Sequence, residues 1–212
     1  ELYNLTEKYP HLYLINLDDV FAENGLLRCF DARNYYTARC RMSFLGLESL
    51  AVAARKVIDR TKIAAKKVLV VDCDNTLWGG VVGELGLSGI NLGSDGLGQA
   101  FTDFQLAARR LASEGVLLCL SSKNNEKDVW EVFEKHPGMK IRKDDLVAWR
   151  VNWQEKAGNL QDMATELDLG VDSFVFWDDN PLEREKMRHL LPQVTTPELP
   201  EDVTVWPALL SS

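Results

Sequence analysis

From residue 67 onward, short and wholly apolar runs alternate with longer stretches whose apolar positions recur at helical spacing. The runs at 68–72, 116–121 and 174–177 predict strands buried on both faces. The stretches at 97–114, 125–135 and 156–167 predict amphipathic helices between and after them. Strand, helix and strand again is the order that builds a parallel sheet with helices on both faces, so the expected architecture is a Rossmann-like α/β fold. Before residue 67 the pattern is looser, with a strand-like run at 12–17 and a helical run at 47–57. Two parts are therefore expected: residues 1–66 as an N-terminal extension packing on the core, and residues 67–212 as the α/β domain. The tail, with Pro192, Pro197, Pro200 and Pro207, reads as irregular chain along the domain edge.

Composition narrows the function. At 212 residues, 46% of them hydrophobic, the chain is long enough to bury a sizeable core. A net charge of −8 argues against general affinity for nucleic acid or an anionic membrane, so an anionic substrate needs local cations. No apolar run approaches the roughly 20 residues of a membrane span, and the start lacks the order of a secretory signal, which makes a cytoplasmic protein the expectation. A first residue of Glu1 in place of methionine suggests a segment of a longer polypeptide. Cys29, Cys40, Cys73 and Cys119 stand far apart without a CxxC pair, which points to separate thiols and away from a zinc site or disulfide framework. The segment 30–44, with Arg28 just before it, interleaves aromatics with the basic residues Arg33, Arg39 and Arg41, and reads as a solvated packing segment or as a contact for an anionic partner. His11, His136 and His189 lie outside every motif and receive no catalytic role.

The chemistry gathers where the predicted strands end. The first runs into Asp72-Cys73-Asp74-Asn75-Thr76, two carboxylates two residues apart at the sheet edge where open α/β folds place ligands. Such a pair suits Mg²⁺, which takes oxygen ligands and commonly keeps one or two carboxylates plus substrate phosphate and water. The second runs into Ser121-Ser122-Lys123-Asn124-Asn125, a hydroxyl and turn amides beside a helix start, where a phosphate is well received. Lys156 opens a helix, where its charge is better spent on phosphate than on the positive end of a helix dipole. The last strand ends in Asp178-Asp179-Asn180-Pro181. Each acid alone also fits a cap or a turn, but four carboxylates on one edge repel unless a cation joins them.

The order Asp-x-Asp-x-Thr, strand-end Ser, Lys and strand-end Asp-Asp resembles the four motifs of the haloacid dehalogenase superfamily over about residues 67–188. The resemblance implies a Mg²⁺-dependent enzyme with Asp72 as metal-binding nucleophile and Asp74 as acid/base, the latter touching metal through its backbone carbonyl. It further implies Ser122 and Lys156 on phosphate, with Lys123 and Asn124 in the same turn, and Asp179, aided by Asp178, as the remaining metal ligands. Ser121 is the one-residue alternative to Ser122. The flanks Leu77-Trp78-Gly79-Gly80, Asn152-Trp153-Gln154-Glu155 and Phe176-Trp177-Asp178-Asp179-Asn180-Pro181 are more specific and look like the FkbH-like glyceryltransferase/phosphatase family. That resemblance implies transfer of a glyceryl unit from 1,3-bisphosphoglycerate to the phosphopantetheine thiol of an acyl carrier protein for polyketide assembly, with Cys73 carrying the acyl group as a thioester.

A thiolate attacking an acyl phosphate displaces phosphate and leaves a thioester, which explains a thiol in that position. Anions on either side raise a thiol's pKa, and a strand cysteine is commonly a small packing residue, so both readings of Cys73 stand. The glycine-rich stretch 78–92 is too short for a large cap domain and reads as a small flap hairpin. Residues 125–151 are also a short connection, leaving room for a bulky partner, and Lys140, Arg142, Lys143 and Arg150 give it a cationic face on which an acidic carrier protein could dock. Three functions follow in order: a glyceryl loader using Cys73 and Mg²⁺, a plain Mg²⁺ phosphatase of a small phosphorylated metabolite using Asp72, and an inactive docking module.

Overall fold

The computed structural model describes residues 5, 6, 8, 9, 11–62 and 66–210, without the side chains of 60–62. The chain divides into two compact units, Glu1–Ala65 and Lys66–Ser212.

In the first unit the described elements are helical: α1 (Leu17–Ala22), α2 (Ala32–Ala38) and α3 (Phe44–Lys62). The strand expected at 12–17 is not formed. Asn16 instead caps α1 by accepting from the Asp18 amide at 3.1 Å. A lone extended run with no partner strand leaves its amides to water, so the cap and helix win. The helix expected at 47–57 is the longer α3. The basic residues of 30–44 find local partners: Arg33 pairs with Asp31 at 2.8 Å, while Arg39 and Arg41 lie over the Tyr35 ring at 5.4 and 5.0 Å.

The second unit is an α/β sandwich around a parallel four-stranded sheet of order β3-β2-β1-β4. Its strands are β1 (Val68–Val71), β2 (Leu117–Ser122), β3 (Leu146–Val151) and β4 (Phe174–Trp177). Every residue of β1 is buried, as a central parallel strand requires. The pleat deals its side chains to two cores. Leu69 and Val71 join Phe104 of α5 (Gly96–Ser113) and Val129, Val132 and Phe133 of α6 (Glu126–Lys135). Val68 and Val70 join Leu160 and Met163 of α7 (Lys156–Glu166) and Met187 of α8 (Pro181–Leu190). Helices thus cover both faces, and the Rossmann-like expectation holds.

Four details differ from the sequence reading. Strand β3 and helix α8 were not expected: β3 mixes buried Leu146, Ala148 and Val151 with exposed Val147, and α8 buries only Arg184 and Met187, so neither shows a clean apolar signal. The glycine-rich stretch is no hairpin. It holds a one-turn helix, α4 (Val82–Leu85), closed by a single antiparallel bridge between Gly79 and Asn91. Its apolar residues are used for packing, with Trp78, Val82, Ile90 and Leu92 all buried, and this pins the flap to the core face. The tail is only partly irregular: α9 (Trp206–Leu210) ends it, and buried Trp206 packs 5.9 Å from Phe104 and 6.1 Å from Trp177.

Candidate active site

Strands β2, β1 and β4, neighbours in the sheet, each run into polar residues at the same sheet edge. Asp72 follows β1, Ser122 closes β2, and Asp178-Asp179 follow β4, while Lys156 opens α7 after β3. Parallel strands in register at Val71↔Leu120 and Val71↔Trp177 bring these ends together. Asp72, Ser122, Lys156 and Asp179 line a cleft of about 180 Å³ together with Asp74, Asn75, Lys123, Asn180 and Glu183, and Asp178 is buried behind them.

The carboxylate oxygens of Asp72, Asp178 and Asp179 all lie within 4.8 Å of one another. One cation faces them. Lys156 Nζ, buried at 3% exposure, sits 3.0 Å from Asp72 Oδ1 and 2.5 Å from Asp178 Oδ2. Three carboxylates against one ammonium leave two negative charges, the charge of one divalent cation. Asp72 Oδ1 is buried and, beyond the Lys156 ammonium, has no donor beside it among the described residues. A buried cluster of carboxylate oxygens with donors this scarce is the donor set that Mg²⁺ takes.

The strain of this arrangement shows in its protonation. Burial, and then the neighbouring Asp72 charge, pushes Asp178 up to about 6 and Asp179 up to about 7. Burial works to lower the Lys156 ammonium, yet Asp72 and Asp178 together outweigh it and hold the pKa above the ordinary lysine value.

Asp74 is arranged differently. Its Oδ1 accepts from the Trp78 indole at 2.8 Å and the Val82 amide at 3.0 Å, and its Oδ2 accepts from Asn124 Nδ2 at 2.8 Å. Its carboxylate stands outside the three-acid cluster. Burial raises its pKa against the pull of those donors. Asn75 follows in the left-handed region at φ 54° and accepts from the Gly80 amide at 2.7 Å, folding the flap back over the edge. Thr76 is buried, and its hydroxyl accepts from the Asp179 amide at 3.2 Å, tying the β1 edge to the β4 edge.

Ser122 lines the cleft, whereas the Ser121 hydroxyl is buried away from it and finds no partner. Lys123 also lines the cleft but is held by Glu155 and Glu183, each at 3.2 Å. Asn124 was expected on phosphate. It is 4% exposed and committed to Asp74 and to the Asn125 amide, so its role in this geometry is to orient Asp74.

Cys73 is fully buried, in the core cluster of Leu69, Val71 and Trp78, on the sheet face opposite Val68 and Val70. Burial first and then Asp72 push its thiol well above the ordinary value, against a smaller pull from the Ser122 hydroxyl. It contributes nothing to the lining of the cleft. Two residues at the edge were not given roles from sequence. Trp78 lay within a recognised motif, but nothing in the string says its indole reaches Asp74. Arg184 is 5% exposed and donates from Nη1 to the carbonyls of Asp178, at 2.8 Å, and Asp179, at 2.7 Å. Its signal was the spacing of a basic residue four positions after the Asn180 cap.

No family model matches the chain, and no curated protein matches it. Among solved structures, the chain is similar to the N-terminal part of a Bacteroides fragilis protein containing a phosphatase domain, complexed with Mg, at 37% identity and a TM-score of 0.84. The match covers 99% of this chain and 56% of that one, so the chain spans little more than half of its length. A haloacid dehalogenase-like hydrolase from Xanthomonas campestris is a far looser likeness, at 14% identity and a TM-score of 0.41, covering 69% of this chain and 95% of that one.

Proposed function

We propose that the chain is the catalytic part of a Mg²⁺-dependent haloacid dehalogenase superfamily enzyme that removes phosphate from a small phosphorylated metabolite. The strand-end motifs resemble those of that superfamily, and a parallel four-stranded sheet with helices on both faces agrees with its fold. The observation that carries the reading is the convergence of the Asp72, Asp178 and Asp179 carboxylates, three acids against the single ammonium of Lys156. The Mg-bound phosphatase domain of the similar structure supports the same reading.

Asp72, Asp178 and Asp179, with the Asp74 carbonyl, would hold the metal, whose charge neutralises phosphate oxygens. Asp72 attacks phosphorus, the bond from phosphorus to the leaving oxygen breaks, and Asp74 supplies that oxygen with a proton. Water then hydrolyses the aspartyl phosphate, releasing phosphate and restoring the carboxylate. Ser122 and Lys156 hold the remaining phosphate oxygens, and the fixed geometry of Asp74 removes the cost of orienting it during reaction.

The test is phosphate release from small phosphomonoesters with Mg²⁺ or EDTA, for the natural chain and Asp72→Asn. Turnover that survives either EDTA or the substitution would sink the reading.

A finer reading adds acyl transfer: a glyceryl unit taken from 1,3-bisphosphoglycerate, held on Cys73 and passed to the phosphopantetheine thiol of a cytoplasmic acyl carrier protein. Its support is the resemblance of the flanking motifs and a cleft whose flap, 78–92, holds only one helical turn. The burial of Cys73 weighs against it, because a thiolate needs access and a depressed pKa. Of the cationic face expected for the carrier, Lys143 is engaged by the Trp130 and Trp149 rings at 4.2 and 4.9 Å, and Arg150 by Glu166 at 2.7 Å. A three-carbon adduct on the Cys73 peptide after incubation with 1,3-bisphosphoglycerate, absent from Cys73→Ala, is the outcome this reading requires.

A further inference from the structure

The carboxylates of Asp178 and Asp179 belong to a turn between β4 and α8, and a turn is free to aim its side chains elsewhere unless something fixes its peptide planes. Three interactions do so. The Asn180 amide donates to Asp178 Oδ1 at 2.9 Å, the Asp179 amide donates to the Thr76 hydroxyl, and both carbonyls of the acidic pair accept from one nitrogen of Arg184. Arg184 is itself anchored, its amide donating to the Asn180 carbonyl at 3.1 Å in the first turn of α8. A buried guanidinium is an expensive group to keep, and its location is hard to explain by packing alone. Among the described residues its ion-pair partner is Glu198, 77% exposed and 3.7 Å away, too weak a pair to account for the burial.

The geometry points to Arg184 as a positioning residue for the metal site: by gripping the two consecutive carbonyls it holds the Asp178 and Asp179 carboxylates convergent on Asp72 before any cation arrives. It acts through the backbone and touches neither substrate nor metal. The inference rests on the Mg²⁺ reading above and deepens it, because it says where part of the metal affinity resides. Outer partners of this kind alter metal affinity by about 10–100-fold.

The experiment is a calorimetric Mg²⁺ titration, repeated with Mn²⁺ by electron paramagnetic resonance, on the natural chain, Arg184→Met and Glu198→Ala. Arg184→Met keeps a long apolar side chain and removes every donor. Its Kd for the metal is expected to rise by about 10–100-fold, and Glu198→Ala is expected to leave it unchanged. A natural chain that binds no divalent cation removes the Mg²⁺ reading and the inference together. A natural chain that binds, beside an Arg184→Met chain that is folded in EDTA and binds equally well, overturns the inference alone. Should Arg184→Met fail to fold, the natural protein decides: the guanidinium N–H resonances of Arg184 are expected to shift as Mg²⁺ saturates the site, and resonances that stay still through saturation overturn the assignment.

Discussion

Replacing Lys156 by methionine separates what this ammonium does for the fold from what it does for the chemistry. In the metal-free protein it is the buried counter-charge to Asp72 at 3.0 Å and to Asp178 at 2.5 Å. Removing one partner of a buried ion pair leaves uncompensated charge and costs about 3–5 kcal/mol. At about 2–4 °C per kcal/mol for a chain of this size, the melting temperature in EDTA at neutral pH should fall by about 6–20 °C. The cluster becomes more negative by the lost ammonium, so Mg²⁺ should restore more stability to the variant than it adds to the natural protein. Phosphate release should nonetheless stay about 10²–10³-fold down, because the phosphate has lost its fixed cation. Calorimetric melting in EDTA and in Mg²⁺, with turnover on the same samples, reads all three. Lys123→Met is the control: its side chain is 25% exposed, its pairs with Glu155 and Glu183 lie at the cleft mouth, and its loss should cost no more than about 1 kcal/mol. Identical melting of the two variants in EDTA would refute the reasoning, since burial of Lys156 is what separates them.

Three further outcomes are expected. Asp178 and Asp179 have folded pKa values of about 6 and about 7, raised above the ordinary 3.8, so the metal-free fold holds their protons more tightly than the unfolded chain does. Their contribution to stability is complete below about pH 4 and is lost as the pH rises through about 6 and 7, and denaturant titrations in EDTA across that range should show the decline and its reversal by Mg²⁺. Cys73→Ala should cost about 1 kcal/mol in denaturant unfolding and leave phosphate release unchanged, and a folded variant without turnover would return Cys73 to the chemistry. Trp78→Phe keeps the buried ring and removes one donor to Asp74, so kcat should fall about tenfold or more with little change in KM; equal loss in both would place Trp78 in substrate binding instead.

The local string determined most of the candidate edge. An apolar run that ends in acids must leave those acids where a buried parallel strand stops, so the sequence brings Asp72, Asp74, Asp178 and Asp179 to one edge, of which the fold converges Asp72, Asp178 and Asp179, and Lys156 followed from a helix start that does not want a cation. The sheet and its principal helices were legible for the same reason: periodicity is a local property. Whatever depends on a partner far along the chain was not. β3 is specified by its pairing with β2 more than by its own apolar pattern, and α8 by two buried residues on an otherwise charged helix. Asn124 looked like a phosphate ligand until Asp74, fifty residues earlier, claimed its amide, and the flap became a helical turn because Trp78 and its apolar neighbours had a core to enter. Both readings of Cys73, acyl carrier and packing residue, stood open in the sequence. Only the packed structure determined which side held the cleft, and the reason is physical: side-chain direction follows from the strand, but burial follows from what the rest of the chain lays against it.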